Sequence, residues 1–189
     1  MKKLTAILLA LVCVVALAAC AGGNTNDDTA ASSYADAVEV LNAVWVTYED
    51  ENKFPIGGGD SANMTMDVPG KFDIAATEEL DVTLALPAAQ AANIEDAASM
   101  MHMMNANTFT GAAYKLKADA DVAAFADEYK ANLDGRQWMC GFPEKFIVVK
   151  TGSFVITAFG NGEIIELYKT KALNALENAE LVLEGTIAG

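Results

Sequence analysis

An α+β fold is predicted by three features of the second half of the chain. Ala112, Tyr114 and Leu116 alternate with Ala113, Lys115 and Lys117, the period-two pattern of a half-buried strand. Two helical patterns follow, each behind a residue able to cap it. Val122, Phe125, Tyr129 and Leu133 come after Asp119 or Asp121, with Gly135 just past the end; Ile165, Tyr168, Ala172 and Leu176 come after Asn161. Between them, Lys145–Lys150 and Ser153–Gly160 flank Thr151-Gly152, a two-residue turn that favours a hairpin. That turn would set Val149 against Phe154 and Ile147 against Ile156, with all four on one sheet face. Leu181, Val182 and Leu183 are a candidate last strand. The resulting order of strand, helix, hairpin, helix and strand is that of a ferredoxin-like, split βαβ sandwich. Helices with one apolar face each need such a sheet to cover.

The chain begins with a different kind of segment. Lys2 and Lys3 precede an uncharged apolar run from Leu4 to Ala19, which ends in Leu17-Ala18-Ala19-Cys20. The run is shorter than the ~20 apolar residues that span a bilayer comfortably. A basic start, an apolar middle and small residues before a cut fit an export signal. A plain secretory signal would not need the cysteine. The stretch resembles the lipobox of bacterial lipoprotein precursors, which implies cleavage between Ala19 and Cys20 and a diacylglyceryl lipid on the Cys20 sulfur. Two acyl chains, at ~0.8 kcal/mol per buried CH₂, would anchor the protein stably to the extracytoplasmic face of the cell membrane.

Composition fits an exported domain. Loss of Lys2 and Lys3 with residues 1–19 takes the formal net charge from −14 to −16. Acidic residues are spread along the chain, as on a solvated surface. Such a surface excludes nucleic acid, whose phosphates need Lys and Arg, and keeps the domain itself off an anionic membrane face. Of the three cysteines, Cys13 leaves with the signal and Cys20 takes the lipid, so Cys140 stands alone and no intramolecular disulfide is expected. Cys140 lies in Trp138-Met139-Cys140-Gly141-Phe142, an apolar setting typical of an inert thiol.

Residues 20–33 read as the lipidated cysteine and a flexible tether reaching about 20 Å, and residues 34–189 as one α+β domain. Ser33, with Asp36 three residues on, predicts a helix to Glu49 with Tyr34, Val38, Leu41, Trp45 and Tyr48 on one face. Gly57-Gly58-Gly59-Asp60 reads as a loop. It lacks the flanking strand and the following Lys of a phosphate cradle. Asp60, Asn63 and Asp67 match no ordered calcium-ligand spacing. Thr77–Asn105 reads as helical, broken at Pro87. In it Met100 and Met104 would share a helical face at i, i+4, while His102 in Met100-Met101-His102-Met103-Met104 points away. Met and His are soft or borderline ligands, so Met100, His102 and Met104 are candidate copper ligands; the alternative is ordinary core packing.

The lipobox and tether, Met103-Met104-Asn105, the helix from Asp119 or Asp121 and the Gly152-Ser153-Phe154-Val155 hairpin together resemble a family of small uncharacterised lipoproteins of Gram-positive bacteria, a domain of unknown function. The resemblance implies localisation and architecture and carries no catalytic residue.

With one histidine, one remaining thiol and no recognisable nucleophile–base pair, the first functional expectation is a non-enzymatic binding or interaction module. Its partner would be an envelope protein or a small ligand, and it would hold no cofactor besides its lipid. Extracytoplasmic copper binding through the Met/His cluster is the second expectation, and a carboxylate-dependent hydrolase the third. A solute-binding transporter subunit would need two sizeable lobes, for which the chain is short.

Overall fold

The computed structural model describes residues 33–104, 108–139 and 141–188. Cys20 with its cleavage site, the tether to residue 32, Asn105 and Cys140 lie outside the described residues. The elements run α1 (Ala37–Trp45), β1 (Ile56–Gly58), β2 (Thr65–Met66), β3 (Gly70–Lys71), α2 (Thr77–Leu84), β4 (Ile94–His102), β5 (Phe109–Leu116), α3 (Val122–Asp134), β6 (Lys145–Thr151), β7 (Phe154–Gly160), α4 (Gly162–Ala175) and β8 (Glu180–Thr186), with 3-10 turns at Asp50–Asn52 and Ala88–Asn93.

The result is an α+β fold around one open antiparallel sheet. Its strand order is β2-β1-β4-β5-β7-β6-β8, with β3 also pairing β4. The crossovers β5-α3-β6 and β7-α4-β8 each step over one strand in the same direction, but they start from antiparallel neighbours. Right-handed connections then place their helices on opposite faces, and the packing agrees. Ile165, Tyr168 and Ala172 of α4 join α1 over Ile147, Val149, Phe154 and Ile156. Phe125, Tyr129 and Leu133 of α3 join Leu80 and Leu84 of α2 over Tyr114, Phe146, Val148 and Val155. Both clusters draw all their residues from Tyr34 to Ile187, so the domain carries its own core.

Asp121 and Asn161 cap α3 and α4, each accepting two backbone N–H bonds. The hairpin forms, with its turn one residue later than expected. Gly152-Ser153 makes the turn, Gly152 has φ +54°, and Val149 pairs with Ile156 while Ile147 pairs with Ala158. The partners shift by two, so Ile147, Val149, Phe154 and Ile156 still share a face. The last strand forms and is longer than Leu181–Leu183.

Two expectations are corrected. The first helix starts at Ala37 because Asp36, not Ser33, caps it through the Glu39 N–H, and it ends at Trp45, before the acidic run. Its buried face is Ala37, Val40, Leu41, Val44 and Trp45, rotated from the one predicted. The segment after Pro87 is not helical beyond a 3-10 turn: residues 94–102 are strand β4. Ala97 and Ala98 point to opposite faces and both are fully buried. A strand covered on both sides shows no alternation, so its Ala- and Met-rich run mimics a helix.

The glycine run is partly strand. A Cβ at Gly58 would lie 2.2 Å from the Gly70 nitrogen, so only glycine lets β1 pass so close to β3.

Candidate binding site

The strand register places three residues of neighbouring strands side by side. Met101 of β4 pairs with Thr110 of β5, which pairs with Phe159 of β7. They form the floor of a crevice of about 260 Å³ at the end of the sheet face that α2 and α3 cover. Val82 and Thr83 of α2 make one wall, and Trp138, Gly141 and Pro143 of the α3–β6 loop make the other. Met104, Thr108, His102 and Phe109 complete the lining. No Asp, Glu, Lys or Arg contributes to this lining.

The walls are held by one arginine. Arg136 Nη1 donates to the Val82 carbonyl at 3.1 Å, and Nη2 donates to the Asp81 carbonyl and carboxylate. Asn132 reinforces the tie by donating to the Asp81 carboxylate and the Ala85 carbonyl, both at 2.9 Å. The guanidinium also lies 6.0 Å from the Trp138 ring centre, and Trp138 packs on Phe159 at 5.5 Å. The Trp138 indole N–H is buried with no partner among the described residues. Deeper under α3, the Tyr114, Tyr129 and Thr157 hydroxyls are also unpartnered. Thr157 lies close enough to both tyrosines to ease their ionisation, but burial dominates and raises both pKa values well above the usual 10.

The expected metal trio is taken apart by the strand. Met100 is fully buried on the α1/α4 face, while Met104 is 57% exposed beyond the strand end. His102 stacks on Phe54 at 4.6 Å, and its Nδ1 accepts the Met104 N–H at 2.9 Å. Burial holds its pKa below the usual 6.5, so it is a neutral ring with its proton on Nε2. Among the described residues no three or more His, Cys, Asp or Glu side chains are grouped to hold a metal ion. This weighs against copper binding through His102 with Met100 and Met104.

Asp60, weighed as a calcium ligand, is instead a staple. Burial opposes its charge, but N–H groups of Asp73, Ala62 and Asn63 and the Asn63 amide all donate to it and hold its pKa below the usual range. Asn63 faces it as a donor, and the Asp67 carbonyl accepts from the Trp45 indole at 3.2 Å.

The carboxylate pair with the nearest charged neighbours is Glu166 and Glu184, which share Lys169 at 2.7 and 2.6 Å. Lys145 also reaches Glu166 at 2.7 Å, and the two lysines hold its pKa down at about 2. A carboxylate so held has no proton to give near neutrality, which is the reverse of a general acid.

Sequence reasoning missed Thr110, Trp138 and Phe159 as site residues, because only strand pairing and the Arg136 tie bring them to Met101. No helix among the described residues is long and apolar enough to cross a membrane. No family model matches the chain, and neither a curated protein nor a solved structure matches it significantly.

Proposed function

We propose that the protein is a membrane-anchored, extracytoplasmic lipoprotein whose domain binds an uncharged, apolar ligand in the crevice, without catalysing a reaction. One observation carries the binding reading: a chain of net charge −14 keeps every charged side chain out of this one lining. Uncharged walls with a few polar groups, here Thr83, Thr108 and Thr110, are the usual form of a small-molecule site. The lipobox supports the anchor on Cys20, and the resemblance to small Gram-positive lipoproteins supports the location. The element order from β5 to β8 supports the ferredoxin-like, split βαβ reading, from which the placing of α3 and α4 on opposite faces departs. In this chain β8 lies beside β6 and the sheet extends past β5 through β4.

The binding test uses residues 20–189 as a soluble chain and a neutral naphthylamine probe. Saturable enhancement of probe fluorescence with quenching of Trp138 is expected, together with its loss in Thr110→Trp, which fills the floor. Unsaturable binding, or binding indifferent to Thr110→Trp, would remove the crevice as the site. The anchor test is metabolic labelling with a fatty acid. Label on the parent and none on Cys20→Ser is expected, and label persisting on the variant would refute the anchor.

A further inference from the structure

Methionine is commonly a filler of uneven cores, and among the described residues only Met100 is fully buried. Met64, Met66, Met103, Met104 and Met139 are 63%, 55%, 46%, 57% and 93% exposed. Four of the methionines are placed around one glycine by the strand register. Gly57 of β1 pairs directly with Met66 of β2 on one side and with Met101 of β4 on the other. Directly paired residues point to the same sheet face. Met64 and Met103 lie two residues along those strands, on the same face, and reach over the glycine from opposite diagonals. A Cβ on Gly57 would lie 3.7 Å from Met64 Sδ and 3.8 Å from Met103 Cγ.

The four positions thus surround a point where β1 has no side chain, and the Met64 and Met103 side chains reach over it. Their donors are neutral thioethers, with no carboxylate or imidazole among them. His102, between Met101 and Met103, is stacked on Phe54 and its Nδ1 is occupied. Thioethers prefer soft d¹⁰ cations over Ca²⁺, Mg²⁺ or Zn²⁺, and the acidic surface raises the local cation concentration. We propose that Met64, Met66, Met101 and Met103 form a surface site around Gly57 for a soft monovalent cation of the Cu(I) or Ag(I) class. Binding uses sulfur lone pairs, releases no proton and changes no oxidation state. The site shares only Met101 with the crevice and uses none of the expected trio, so it stands or falls independently of the apolar-ligand reading.

Silver nitrate titrated into the soluble chain, with Cys20→Ser and Cys140→Ser to remove thiols, tests the site. Methyl NMR of the methionines should show Met64, Met66, Met101 and Met103 shifting together up to one equivalent, with Met100 and Met139 unmoved. Met64→Leu with Met103→Leu should weaken binding about tenfold or more, since even outer-shell partners are worth that much. Gly57→Leu, which fills the centre, should weaken it similarly, while His102→Gln should leave it intact. Leucine is near methionine in volume, and thermal melting confirms that each variant folds. Equal shifts at Met139, unchanged affinity in both the double-leucine and Gly57→Leu variants, or loss of binding in His102→Gln would each overturn the proposal.

Discussion

The two faces of the sheet end differently at the same strand level. On the α1/α4 face the end is closed by rings: Phe109 packs edge-on against Phe54 at 5.4 Å and Tyr168 at 5.2 Å, and Trp45 and Tyr48 complete the cluster. On the α2/α3 face the rings stop at Phe159 and Trp138, and Met101, Thr110 and the methionines around Gly57 carry on to the edge. Measured across three strand steps from β5 to β2, that row is about 14 Å long. Rigid rings bury large areas with few rotors and suit permanent closure. Thioethers adapt to whatever covers them. The ring-closed end suits stability, and the open end is the one the proposed ligand would use.

The sharpest way to break that assignment uses neighbours in sequence. Met100 is fully buried on the closed face, and Met101 is half-buried on the open one. Met100→Ala should cost about 2–5 kcal/mol, the range for emptying a packed site. Met101→Ala should cost less than about 1 kcal/mol while weakening the naphthylamine probe. Urea unfolding of the two variants reads this directly, and similar losses would mean that the faces do not differ. Ala98→Leu extends the test. It adds bulk between β4 and α1, and overpacking of this kind costs about 1–3 kcal/mol.

How much of this was legible in the sequence depended on how each strand is covered. The hairpin and helices α3 and α4 were readable because alternation and capping residues mark them locally. Even the two-residue shift of the hairpin left Ile147, Val149, Phe154 and Ile156 on the predicted face. Strand β4 was not readable, since Ala97, Ala98 and Met100 are all buried on one face or the other and helix formers fill the run. The candidate site was lost with it: a helix stacks Met100 and Met104 one turn apart, while an extended strand sets residues four apart about 13 Å from each other and puts Met101 and Met103 together on the other face. Met64 and Met66 gave a usable signal, being large apolar residues in a polar loop. Their meeting with β4 comes through β1, which pairs with β2 on one side and β4 on the other, and no local pattern announces that pairing.

The loop that carries Met64 and Met66 depends on a buried polar staple. Asp60→Ala would leave the N–H groups of Ala62 and Asp73 without their acceptor, and Asn63 with only the Asp60 carbonyl, in a site where Asp60 is only 5% exposed. Stranded buried donors cost about 1–3 kcal/mol. The loss should also loosen β2, so Ag(I) binding should weaken with stability. Added calcium should not raise the melting temperature of the parent, because the Asp60 oxygens are already engaged. A calcium-dependent rise would return Asp60 to the list of metal ligands.

The smallest expected effect is a pH dependence on the closed face. Glu166 of α4 accepts from Lys145 and Lys169, both at 2.7 Å, and its pKa falls from the usual 4.5 to about 2. The unfolded chain therefore takes up this proton first as the pH falls. The contribution of Glu166 is fully present above about 4.5 and is lost progressively down to about 2. Lys169, whose pKa is raised by Glu166 and Glu184, keeps its proton throughout that window and adds no slope there. Glu166 is 44% exposed, so water and salt screen the gain and keep it modest. Glu166→Gln should flatten the stability–pH curve between about 4.5 and 2, relative to the parent, while leaving the slope from Asp60 and Asp134. Parallel curves for parent and variant would mean that the lysine ladder joining β6, α4 and β8 adds nothing to the closed face, whose stability would then rest on its rings alone.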